Sequence, residues 1–68
     1  MNRQFVSSSD IHSVGYENNT LEIEFNRGGI YQYHGVPQER YYNLVSADSC
    51  GSYFHHFIKP FYPAIKIS

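Results

Sequence analysis

Few side chains in this 68-residue sequence are of a kind that does chemistry, and their spacing limits what that chemistry can be. The single cysteine, Cys50, precedes the adjacent pair His55 and His56 by about one helical turn and a half. A thiol at a helix start can be acidified by the helix dipole, and an imidazole nearby could take its proton. A working nucleophile also needs hydrogen-bond geometry and a third group that orients the base, and nothing in the sequence marks one. A lone cysteine is more often a small buried apolar residue, so the expectation is that the protein is not an enzyme. Adjacent histidines on a helix point about 100° apart and cannot readily grip one metal ion together, which leaves them as surface residues with no metal and no cofactor implied. Asp48 and Ser49 fit a turn and helix cap better than an acid–base role.

Binding chemistry is better supplied. Tyr31 and Tyr33, two residues apart, share one face of a strand and could stack successive bases. The residues between and beside them, Ile30, Gln32 and His34, make a mostly polar opposite face, so both tyrosines are expected in the core beside Leu21, Ile23 and Phe25. Glu22 and Glu24 would share that wet face with Gln32 and His34, and two carboxylates repel a phosphate backbone. Arg27, Arg40, Lys59 and Lys66 could instead form a small basic edge where a turn, a helix and the tail meet. Tyr41 and Tyr42 are adjacent on a helix and cannot both point inward. Tyr42, Tyr53 and Tyr62 are therefore expected to expose partial rings near those cations. The candidate contact set is Arg27, Arg40, Tyr42, Tyr53, Lys59 and Tyr62, and it would suit an RNA or a protein partner alike.

The elements that must position these residues follow from periodicity. Thr20 to Asn26 alternates apolar and polar residues strictly, the pattern of a strand with one buried face. Ser13 to Tyr16 is a shorter β-like run, joined to it by Glu17-Asn18-Asn19, and Asn26-Arg27-Gly28-Gly29 turns into a third strand, Ile30 to His34. Pro37 suits a helix start, and Tyr41, Leu44 and Val45 recur at helical spacing from about Pro37 to Ala47. A second helix begins near Ser49 or Gly51, carries Phe54, Phe57 and Ile58 inward, and ends before Pro60. Both helices are too short to persist alone. The expected fold is α+β, a three-stranded antiparallel meander with two short helices packed on one face, in the order β-β-β-α-α. Phe61 to Ser68 could add an edge strand or lie against the core.

Composition sets the frame for all of this. Sixty-eight residues make one small domain, and twelve aromatics, seven Tyr and five Phe, can give it the dense core such a length requires. One cysteine excludes an intramolecular disulfide framework and suggests a reducing compartment. The sequence has no apolar run of signal-peptide or membrane-spanning length, so a cytoplasmic, membrane-free monomer is expected. The net charge of −1 removes the strongest composition-level argument for nucleic-acid binding.

Read in order, Ser7-Ser8, Ile11, Val14-Gly15-Tyr16, Leu21 to Phe25, Gly29, Tyr31-Gln32-Tyr33, Val36-Pro37, Leu44, Ala47, Ser49, Gly51, Tyr53-Phe54, Ile58 and Tyr62 resemble the KTSC domain, over about residues 7–62. That family occurs at the C-terminus of some lysyl-tRNA synthetases and as small stand-alone bacterial proteins. The resemblance implies a small binding module, with RNA binding suggested by the synthetase context and no catalytic residue set. It also marks Tyr31 and Tyr33 as the family's Tyr-x-Tyr motif. In isolation such a module would bind RNA weakly; the alternative is a protein-interaction or self-associating domain using the tyrosine-rich surface.

Overall fold

Alternation in the segment Thr20–Phe25 fixes the two faces of the sheet, and every other element is arranged around them. In the computed structural model, which describes residues 1–68, that segment is the central strand of five. The strands are β1 (Arg3–Phe5), β2 (Ile11–Glu17), β3 (Thr20–Phe25), β4 (Ile30–His34) and β5 (Ala64–Lys66), all antiparallel and adjacent in sequence order. Between β4 and β5 the chain crosses one face as α1 (Gln38–Ser46), α2 (Cys50–Tyr53) and a π-helical turn (Phe54–Ile58). The architecture is α+β with helices on one face, as expected. The three-stranded meander is corrected to five strands, because β1 and β5 add short edges that carry no alternating pattern of their own.

Local chemistry explains the joints. Asn18 and Asn19 both adopt positive φ, 50° and 61°, which suits a two-residue hairpin turn between Glu17 and Thr20. One extra residue in β2, between Ile11 and Ser13, forms a bulge. The bulge lets Ile11 and Val14 both enter the core while Ser13 faces the other way. Pro37 stands just before α1 rather than inside it, and its carbonyl accepts from the Arg40 amide. Ser49 caps α2 by accepting from the Ser52 amide at 3.2 Å.

The core consists of Ile11, Val14, Leu21, Ile23, Tyr33, Val36, Leu44, Cys50, Phe54 and Ile58. The Lys59 amide bonds to the Phe54 carbonyl, five residues back, so the second helix ends on a turn wider than an α-helix. In a turn of that width the fourth residue on, Ile58, still faces inward, while the third, Phe57, swings out and is 43% exposed. The helical spacing that placed Phe57 in the core is corrected accordingly. No helix is long and apolar enough to cross a membrane.

The third correction concerns the outer face of the sheet. Glu22 is only 7% exposed and Glu24 and Gln32 are half-buried, so the expected wet face is covered except at His34, which stays exposed. Its cover is Arg3. In the strand register Arg3, Gly15, Glu22 and Gln32 form one row across β1 to β4. Arg3 lies over Gly15, where a Cβ would come within 2.8 Å of the arginine Cγ, and its guanidinium pairs with Glu22. It also donates to Ser13 Oγ at 3.0 Å and lies 3.8 Å from Glu24; Ser13 donates in turn to Glu24, and Gln32 donates to Glu22. The carboxylates are thereby closed into a network, and the Gln32 hydrogen bond, reinforced by Arg3, holds the Glu22 carboxyl below its ordinary range despite burial.

Candidate functional site

With Arg3 committed to both outer-face carboxylates and His55 to Asp10, the ion pairs of the domain leave Arg27, Arg40, Lys59 and Lys66 without an acidic partner. These four do not gather on one edge. Arg40 is held on the helical side, where it donates to the Tyr53 hydroxyl at 3.2 Å and its guanidinium lies 5.4 Å from the Phe57 ring centre. That hydrogen bond, with the Tyr62 phenol nearby, raises Arg40 above its ordinary value. Tyr53, Tyr62 and Arg40 therefore form one cluster, with the Tyr53 and Phe57 rings 4.8 Å apart. Tyr42 stands outside it on α1, 57% exposed, with its hydroxyl accepting from Gln38.

Arg27 and Lys59 meet elsewhere, on the rim of a cleft of about 460 Å³ lined by Phe25, Arg27, Gly28, Tyr31, Tyr33, Phe54, His55, Lys59 and Ala64. The turn after β3 delivers Arg27, the π-helical turn delivers His55 and Lys59, and β4 delivers the tyrosines. Lys66 lies opposite Tyr31 in the β4–β5 register, on the same face of the sheet. No carboxylate lines this cleft, although the chain as a whole is net acidic. Asp10 pairs with His55 Nε2 at 3.2 Å and lines an adjoining pocket that shares Phe25, Arg27 and His55 with the cleft.

The aromatic floor is a herringbone. Phe25 meets Tyr31 at 74° and Phe54 at 67°, and Tyr33 meets Phe54 at 73°, each pair about 5.4 to 5.5 Å apart. Tyr33 is core, as expected, and burial pushes its phenol up to about 12. Tyr31 is different: it packs against the core but is only half-buried and also lines the cleft, so the expected burial is complete for Tyr33 alone. His55, taken from sequence as one of two plain surface histidines, is a rim residue. The signal for it was its position four residues before Lys59, which puts both on one side of a helical turn.

Cys50 is buried at the start of α2, and burial pushes its thiol up rather than down. The acidifying effect of a helix start is outweighed there by the loss of solvent.

Comparison with known proteins bears on the family and the fold. The sequence profile of the KTSC domain matches residues 7–62. The crystal structure of a KTSC domain protein from Yersinia pestis superposes with a TM-score of 0.94 at 46% identity, covering 98% of this chain and 97% of that one. An uncharacterized protein of Stutzerimonas stutzeri is 42% identical over 62 residues, which is 88% of this chain and 87% of its own length. A lysine–tRNA ligase of a Nostoc strain is 50% identical over 40 residues, which is 59% of this chain and 7% of the ligase.

Proposed function

The chain belongs to the KTSC domain family, and from that membership we propose that it is a non-catalytic cytoplasmic module that binds single-stranded RNA weakly through the Tyr31 cleft. The observation that carries this reading is the cleft itself, lined by Arg27 and Lys59 and by no carboxylate, with Lys66 opposite the half-buried Tyr31 in the strand register, on a chain of net charge −1. Cations without acidic partners attract phosphate, and an exposed aromatic ring offers a base a surface to stack on. The similarity to a segment of a lysine–tRNA ligase supports RNA over other polyanions. The buried, weakly acidic Cys50 supports a non-catalytic role.

The affinity follows from the parts. One stacked base contributes about 1 to 3 kcal/mol, and three phosphate contacts give a log–log salt slope of about −2. Together they fall short of the roughly 8 kcal/mol of micromolar binding, so the domain alone binds weakly and gains from avidity when joined to a larger RNA-binding protein. A nitrogen-edited NMR titration with short single-stranded RNA at low salt tests this. Shifts at Tyr31, His55 and Lys59 that fade with a slope near −2 are expected; shifts scattered over the surface, or none, would sink it.

A second reading rests on a different surface. Phe57, 43% exposed, packs on Arg40 and Tyr53, and Tyr42 and Phe61 are 57% and 66% exposed. Tyrosine, phenylalanine and arginine are residues that protein interfaces favour. Light scattering across concentration separates self-association from the monomer that the RNA reading expects.

A further inference from the structure

The cleft is built for one ring, which bears on what it can bind. Its volume of about 460 Å³ lies at the lower end of sites that enclose a single small ligand. Of the aromatic rings on its floor, Tyr33 and Phe54 are core residues, and Phe25 is turned edge-on to both Phe54 and Tyr31. Gly29 crowds the Cε1 side of Tyr31, where a Cβ would come within 3.0 Å. Phe25 and Tyr31 are both half-buried and stand 74° apart, so a base laid flat on one cannot lie flat on the other, and Arg27 and Lys59 line the same cleft. A continuous strand-binding track would need several stacking rings along a basic groove, and this surface offers a ring plane to one base.

We infer that the cleft holds one unpaired nucleotide per domain, its base against Tyr31 and its phosphate between Arg27 and Lys59. This rests on the RNA reading above and narrows it from a strand to a single nucleotide. Ala64 matters here: it lines the cleft, it is exposed, and it pairs opposite Tyr33 in the β4–β5 register. Its methyl side chain leaves open the space a larger residue would fill.

The experiment is a titration of the full chain by NMR with uridine and adenosine 5′-monophosphate and with oligoribonucleotides of two, four and eight residues. The mononucleotides are expected to shift Tyr31, His55 and Lys59 already, and affinity should rise with length no faster than the number of nucleotides offered. Ala64→Phe should lower affinity at least tenfold with the amide spectrum otherwise preserved. If that variant does not fold, Lys59→Gln, at an exposed side chain, carries the test as a severalfold loss of mononucleotide affinity at low salt. Affinity that climbs more steeply than strand length would overturn the single-nucleotide inference and leave RNA binding standing. An unchanged affinity in Ala64→Phe, or an unchanged mononucleotide affinity in Lys59→Gln, would also overturn it. A mononucleotide that binds more tightly than every strand would reassign the cleft to free nucleotides. Silence with every RNA at low salt would remove both readings.

Discussion

The two faces of the sheet are closed by opposite means. On one, Leu21, Ile23 and Tyr33 lie under two helices and make contact through apolar area alone. On the other, Arg3 reaches across Gly15 and closes Ser13, Glu22, Glu24 and Gln32 into a hydrogen-bonded network. Strict alternation in β3 is read as a buried face and a wet one, yet here it yields two covered faces of different chemistry. The difference bears on function as well as stability. By pairing with the outer-face carboxylates, Arg3 offsets one of their two charges, and that face still repels an anion that the partnerless cations elsewhere attract.

The largest expected effect lies on the apolar side. Phe54 packs edge-on against both Phe25 and Tyr33 and is almost wholly buried. Phe54→Ala should cost about 3 to 5 kcal/mol. A 68-residue domain has a total stability of only about 3 to 10 kcal/mol, so chemical denaturation should find this variant mostly unfolded or close to it. A loss below about 1 kcal/mol would mean the helices do not close that face.

On the polar side, the most sensitive position carries no side chain at all. A Cβ at Gly15 would meet Arg3 Cγ at 2.8 Å and the Asn2 carbonyl oxygen at 2.9 Å, and the second of these is backbone. Gly15→Val should therefore push β1 away from β2 and cost about 1 to 3 kcal/mol. Hydrogen exchange should show amide protection lost along β1 first, with β3 and β4 retained. Uniform loss, or none, would deny Arg3 its role as the cover of that face.

How much of this could be seen in the sequence depends on whether a residue's environment is set locally. The β3 alternation and the Tyr41, Leu44, Val45 spacing are local, and they gave the correct inner face and the correct side of α1. Strands β1 and β5 are three residues each and exist only through pairing with β2 and β4, so no local pattern announces them. The burial of Glu22 depends on Arg3, nineteen residues away. Among the candidate contact residues, Arg27 and Lys59 do converge, but the hydroxyl of Tyr53 holds Arg40 elsewhere, a pairing across the two helices that no spacing rule reveals. Tyr31 and Tyr33 share a face by register, yet only Tyr33 is buried in the core, and where that cover ends is a tertiary fact.

The smallest effects separate the two faces by pH. Glu22 has a depressed pKa, held down first by Gln32 and then by Arg3, so its contribution is fully present above its ordinary value of 4.5 and is lost as pH falls through the lower folded value. Tyr33 is raised by burial from 10.0 to about 12, so its contribution is complete below pH 10 and is lost as pH climbs toward 12. Glu22→Gln should flatten the acid limb of a stability–pH curve and leave the alkaline limb alone. Tyr33→Phe should do the reverse, changing stability at pH 7 by less than about 0.5 kcal/mol, because the hydroxyl opens into the cleft and gives up no protein partner. Denaturant midpoints across the pH range measure both. If one substitution flattened both limbs, the faces would be titrating as a single unit, and the division between an arginine-closed side and a helix-closed side would not describe how this sheet is held.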